Sequence, residues 1–460
     1  MSPSATAGGN SCAITTTLET LGKNKELIVW ESLAKTFQDA VVIVRRLGLR
    51  YLWIDSLCII QDDPADWSKE SGEMANVYQD AYLTIAATKS PNDDGGCFST
   101  ASSSHLSRQL TASERNSLLQ VYARRRLPHS VYWSENPSSS YGSDRFPLFT
   151  RAWCYQESLL SARVLHFAAD ELMWDCREKF DCECGYPEFN KAISELDILP
   201  MLPKISHARA LEDPLRLPQR WWKIVEEYSA LDLSCAKDKL PGLSGLAKQM
   251  QRFLNGRYLA GLWESNLFAD LLWIAVPNRR GYERCLPWRA PTWSWASITS
   301  PATWTWELRH NASMHQLTVL ASLVEAKCYP AGSDITGELS SGHLTLSGRL
   351  FTTQFSGPKR GSFNYILDEF DHSDYLGKYK LFSDILLHEN QQPGLELHCL
   401  EIGRIQKAGK IVRENKYYLV LEKSKIERGA YERVGLLSTC DEPLIAEWQA
   451  RSRVAVVKIM

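Results

Sequence analysis

The chain has 460 residues, 44% hydrophobic and 23% charged, a balance that suits a folded protein with room for two or three domains. Lysine plus arginine number 52 against 54 for aspartate plus glutamate, and a net charge of -2 supplies no field for a polyanion, so nucleic acid is not expected as a partner. The opening MSPSATAGGNSCAITTTLETL lacks a basic segment followed by an apolar core, and no apolar run approaches the roughly 18 residues of a membrane span. The twelve cysteines include Cys58, Cys154 and Cys235 inside element-like runs, which points to a reducing, cytoplasmic setting with thiols that are mostly buried.

In chain order, Leu33, Phe37, Ala40, Val41, Val44 and Leu47 recur at helical spacing within residues 31–50, and Gly48 supplies a stop. Tyr51–Ile54 is too short for another helix and apolar on both faces, so the expectation is a buried, parallel strand. Asp66 is placed to cap a helix whose Trp67, Ser71, Met74, Tyr78 and Ala81 share a face. LTIAAT (83–88) has the character of a strand and PNDDGG (91–96) of a turn. Residues 99–148, loosest at SENPSSSYGSD (134–144), form an expected surface insertion.

RAWCYQESLL (151–160) is helix-like, and RVLHFAADELMWDC (163–176) suggests two strands around a tight connection. A helical middle follows, with Trp221, Trp222, Val225 and Tyr228 on one face and GLSGLAKQMQRFL (242–254) as a further helix. Past Pro291, alternating segments such as GHLTLSGRLFTTQF, KYYLVLEKS and VAVVKIM predict strands. The expected organisation is an α/β domain over 13–185, a helical region over 186–289 and a β-rich region over 290–460.

Several blocks in this order carry a resemblance. They are TFQDAVVIVRRLGLRYLWIDSLCIIQDDPADW (36–67), EMANVYQDAYLTIAA (73–87), RAWCYQESLLSARVLHF (151–167) and ELMWDC (171–176), then WWKIVEEYSALDLSCAKDKLPGLSGLA (221–247), YLAGLW, LLW, APTWSWAS and YERVGL. Together they resemble the fungal HET, or heterokaryon-incompatibility, family. Members of that family usually begin with a block resembling Leu-Ser-Tyr-x-Trp-Gly, whereas this chain joins the pattern at SCAITTTLETL, so a site built partly from that block is expected to be incomplete or altered. The resemblance implies non-self recognition and a programmed cell-death response, with protein partners from an incompatibility system. It also implies a remote likeness to TIR domains, and with it NAD cleavage. A place in fungal secondary metabolism, as an enzyme acting on a small organic substrate, is the competing implication.

On physical grounds Asp55 leads the catalytic candidates, because an acid at the C-terminal end of a parallel strand lies where α/β folds place ligands. The alternative is that it caps the following turn. Cys58 is a nucleophile only if a base such as His105, His129 or His166 approaches it, and its apolar flanks favour a structural thiol. Glu157 is the acid for a hydrolytic reaction. Gln61, Arg151, Trp153, Gln156 and Trp53 complete the expected ligand-binding set, with Arg151 either locking onto Asp55 or holding an anionic ligand.

Cys176, Cys182 and Cys184 with Asp175 invite zinc, but their C-x5-C-x-C spacing lacks the paired C-x2-C of structural sites, and no metal site is assigned. The Trp-rich PTWSWASITSPATWTW (291–306) suits either an aromatic ligand wall or a packed junction. No P-loop, GxGxxG after a strand, HExxH or GxSxG occurs, which leaves the cofactor unassigned.

Overall fold

The computed structural model describes residues 14–110, 121–125, 127, 146–185, 203–276, 283–305, 308, 317–358, 365–367, 379–385, 395–407 and 413–460. The loosest stretch of the expected insertion, 134–144, lies outside them, as does His129. The chain divides into two compact units, Met1–Glu212 with Leu231–Ser234, and Asp213–Ala230 with Cys235–Met460.

In the first unit, helix α1 (Lys35–Arg46) buries Phe37, Ala40, Ile43 and Val44. The helix ends at Gly48, whose φ of +70° lets the chain reverse so that the Leu49 N–H donates to the Val44 carbonyl at 3.0 Å. Helix α2 (Pro64–Asp80) is capped by Asp63 rather than Asp66. Pro64 at the first helical position leaves the Asp63 carboxylate to accept from the Ala65 and Asp66 N–H groups, while Asp66 accepts from Ile60 N–H at 2.8 Å.

A four-stranded sheet backs these helices: β1 (Thr84–Ala86) pairs in parallel with β2 (Arg163–Phe167), which pairs antiparallel with β3 (Leu172–Cys176), and that with β4 (Phe180–Cys182). Ala40, Ile43 and Val44 of α1 pack with Ile85, Ala87, Cys97 and Phe167 against one face. Helix α3 (Ala152–Leu160) precedes β2, and α4 (Pro203–Glu212) closes the unit. The mixed helix-and-sheet class expected of this region is present.

Tyr51–Ile54 departs from the expectation of a buried strand. Ile54 is extended and buried, but the segment carries no ladder in the described structure, and Tyr51 is 85% exposed. The bridge nearest to it joins Thr16 and Ile60 in parallel, beyond the helical turn. An apolar run reports burial tendency; ladder formation also needs a strand at hydrogen-bonding distance, and the described residues supply none.

The second unit contains the helices Leu217–Ser229 and Pro241–Gln251, followed by a β-rich region. Its nine-stranded sheet includes Leu395–Lys407, Arg413–Lys423, Tyr431–Thr439, Arg453–Ile459 and Leu339–Pro358 as successive neighbours. Pairing of Leu339–Pro358 back onto Leu395–Lys407 brings these five strands round toward a ring, in which Tyr431–Thr439 and Arg453–Ile459 meet only at the Tyr431–Ile459 pair. Phe351, Leu397, Cys399, Tyr418, Val434 and Trp448 fill one core of this unit.

The Trp-rich segment settles on its packed alternative. Trp293, Trp295 and Trp304 are fully buried within the second unit. Trp295 and Trp221 both donate to the Gly261 carbonyl, at 3.0 and 2.8 Å, and Trp304 stacks on Trp222 with centroids 5.6 Å apart. A ligand wall requires accessible ring faces, which these rings do not present.

Candidate functional site

The single helical turn Asp55–Cys58 follows directly on the extended Ile54. One carboxylate oxygen of Asp55 accepts from the adjacent Ser56 N–H at 2.8 Å; Asp55 is the first residue of the turn and Ile54 its N-cap, with no side-chain cap bond. Gln61 is exposed and folds back on the same turn, donating to the carbonyls of Ile59 at 2.9 Å and Asp55 at 3.4 Å. Trp53 packs edge-on against Tyr78 of α2, with ring centroids 5.6 Å apart.

The other half of the site is the N-terminal end of α3. Arg151 is its N-cap residue, with extended backbone, and is held by a parallel bridge to Asp232. The Ala152 N–H donates to the Asp232 carbonyl at 2.9 Å, and the Asp232 N–H donates to the Thr150 carbonyl at 2.7 Å. These bonds satisfy backbone groups that a bare helix start leaves open and fix where the Arg151 side chain departs. Within the helix, Gln156 and Glu157 are 2% and 5% exposed, while Trp153 is half-buried.

A residue that the sequence reading passed over joins the two halves. Asp93 lies in the turn after β1 and is 7% exposed. Burial pushes its carboxyl up to about 6, the Arg151 guanidinium opposes the rise, and the negative charges of Asp55 and Asp94 add to it. Asp55, Asp93 and Arg151 therefore share one electrostatic neighbourhood. Cys154 extends it: burial raises its thiol, Glu157 and Asp55 raise it further, and Arg151 works against them.

The sequence singled out Asp55, Arg151 and Glu157, and the structure brings all three charges to bear on the buried Cys154 thiol and those of Asp55 and Arg151 on Asp93. The signal for Asp93 was present in PNDDGG, two acids just past the C-terminal end of a strand, but the segment also had the composition of a plain turn. Cys58 is exposed as a residue, yet partial burial of its sulfur raises the thiol, and Asp55 raises it further. That direction is opposite to the one an activated thiol needs. His166 is buried, meets Thr88 Oγ1 through Nδ1 at 3.0 Å, and is pushed down to about 3 by burial and by Lys204.

Chemically, Asp55, Asp93 and Glu157 supply carboxylates, that of Asp93 titrating at about 6, beside the Arg151 guanidinium. Such a set can bind an anionic or hydrogen-bond-donating ligand, or exchange a proton near physiological pH. Among the described residues, no helix is long and apolar enough to cross a membrane. No curated protein and no solved structure matches the chain. Residues 9–157, which include Asp55, Asp93, Arg151 and Glu157, match the family model Heterokaryon incompatibility protein (HET), and this segment, not the chain as a whole, carries the family likeness.

Proposed function

We propose that this HET domain acts in fungal heterokaryon incompatibility, where it takes part in non-self recognition and drives a programmed cell-death response in the cytoplasm through protein partners. The observation that carries this reading is the family match over 9–157 together with the convergence of Asp55, Arg151 and Glu157 on one buried electrostatic neighbourhood inside that match or at its end. Induced expression in a filamentous fungal host, scored with a vital dye, tests it. Wild-type chain should arrest growth and kill cells, and Asp55→Ala at equal abundance should kill fewer. Normal growth at robust expression of the wild type refutes the reading.

One observation favours a catalytic form of the same site: Asp93 is held at about 6, where a carboxyl serves as acid or base. In this form the domain cleaves NAD as a TIR-like hydrolase, with Glu157 as a second acid and Arg151 holding a phosphate of the dinucleotide. Incubating folded chain with NAD and following its loss tests this form; an unchanged NAD pool rules it out and leaves the incompatibility reading standing. The secondary-metabolism alternative loses the aromatic lining expected of Trp293 and Trp295, since both are packed in the second unit.

A further inference from the structure

Outside the family-matched segment, the β3–β4 hairpin gathers three side chains of metal-ligating type. Glu171 stands immediately before β3, Cys182 ends β4, and Cys184 follows it by two residues. One ligand atom from each lies within 4.8 Å of the other two, and the two sulfurs are 2.9 Å apart. All three residues are half-buried.

The backbone explains why they meet. Antiparallel pairing sets Met173 opposite Cys182, which brings the residue before β3 alongside the chain leaving β4. The Glu183 N–H donates to the Leu172 carbonyl at 3.1 Å, and the Leu172 N–H donates to the Glu183 carboxylate at 2.8 Å, so the exit loop is tied to the start of β3. Gly185, with φ of +65°, closes a tight turn by donating to the Cys182 carbonyl at 3.0 Å. The Cys184 N–H donates to Glu171 Oε2 at 3.2 Å, which orients that carboxylate toward the two cysteines. Cys176 belongs to the other end of the hairpin, where its sulfur accepts from the Lys179 N–H. The sequence grouping of Cys176 with Cys182 and Cys184 therefore has to be replaced by Glu171 with the two cysteines.

We propose that Glu171, Cys182 and Cys184 form a site for a divalent cation, with zinc as the chemical fit and a water as the fourth ligand. Tetrahedral zinc has bonds of about 2.3 Å to sulfur and about 2.0 Å to carboxylate oxygen, which separates its ligand atoms by about 3.5–3.8 Å. The sulfurs stand 2.9 Å apart and must separate by somewhat less than about 1 Å to reach that spacing, while every pair in the set already lies within 4.8 Å, a change on the scale of a side-chain rotation. Two thiolates beside one carboxylate select zinc over magnesium or calcium, which prefer oxygen ligands throughout. On binding, each cysteine releases its proton to solvent and no redox step occurs. The bound ion would fasten the loop after β4 to the turn between β2 and β3.

Cobalt substitution tests the site on the full, reduced chain. Cobalt(II) should bind with a thiolate charge-transfer band in the near ultraviolet and the visible bands of tetrahedral coordination, and zinc should displace it. The double variant Cys182→Ser, Cys184→Ser should lose the charge-transfer band, whereas Cys58→Ser and Cys235→Ser, at exposed cysteines, should keep it. Glu171→Gln should keep the band and bind more weakly. On wild-type chain, zinc should also slow alkylation of Cys182 and Cys184 relative to Cys58, read by peptide mass spectrometry, a measurement that needs no variant to fold. The absence of a thiolate band in the wild type, its survival in the folded double variant, or unprotected Cys182 and Cys184 at saturating zinc overturns the proposal.

Discussion

The Arg151 guanidinium acts on the buried Asp93 carboxyl and restrains a pKa that burial pushes up to about 6. The two residues come from segments 58 positions apart, 93 in the turn after β1 and 151 at the start of α3. Their coupling means that each can be probed through the other.

Asp93 titrates higher in the fold than in an unfolded chain, where an aspartate sits near 3.8. The folded state therefore holds a proton that the unfolded state has lost between those values. The associated stability is fully present below the unfolded value and is lost as pH rises through about 6. Asp93→Asn should raise the stability near pH 7.5 by on the order of 1 kcal/mol after solvent screening, seen as a higher melting temperature, and the gain should vanish near pH 4. Thermal melts of both proteins across that range check the sign.

Lys239 offers a second titration in the other unit. Its ammonium lies over the Tyr228 and Trp295 rings, and burial pushes it down to about 7 from a usual 10.5. Between those values the unfolded chain binds a proton that the folded chain does not, so this residue makes stability rise with pH across that window. Lys239→Met should flatten the rise, which denaturant melts at pH 7 and pH 9 would register as a smaller difference than in the wild type.

Arg433 and Asp384 form a fully buried pair at 2.8 Å. Arg433 also donates to the Leu271 and Trp273 carbonyls, each at 2.6 Å, and lies 3.6 Å over the Trp273 ring. Arg433→Ala strands a buried carboxylate and two carbonyls and should cost roughly 3–5 kcal/mol, whereas Arg433→Met with Asp384→Leu should cost less than the single change. Urea unfolding of the single and double variants separates these outcomes.

Gly261 bears a φ of +95°, and a Cβ there would stand 2.6 Å from Trp295 Nε1. Its carbonyl accepts from both Trp221 and Trp295. Gly261→Ala should destabilise the second unit by roughly 2–3 kcal/mol, visible as a lower denaturation midpoint and a change in tryptophan fluorescence.

Local signals in the sequence were strong where the chain's own pattern decides the outcome. The helix expected of RAWCYQESLL, the two strands expected within RVLHFAADELMWDC and the stop at Gly48 all correspond to observed elements. Asp55, Arg151 and Glu157 could be picked out because acids and arginines inside apolar runs stand out. What failed depended on partners distant in sequence. Tyr51–Ile54 needed a neighbouring strand, Asp93 became notable only once Arg151 and Asp55 came near it, and Glu171 met the cysteines through a hairpin register that spacing does not reveal.

The most direct measurement is cell death in a fungal host expressing wild-type chain, Arg151→Gln and Asp55→Asn at matched abundance, with Lys239→Met as a change remote in sequence from the HET match. The wild type and Lys239→Met should kill, and the two site variants should leave a larger viable fraction while remaining folded by circular dichroism. Equal killing by all four proteins, or none by the wild type, would contradict a functional role for the Asp55–Asp93–Arg151 neighbourhood.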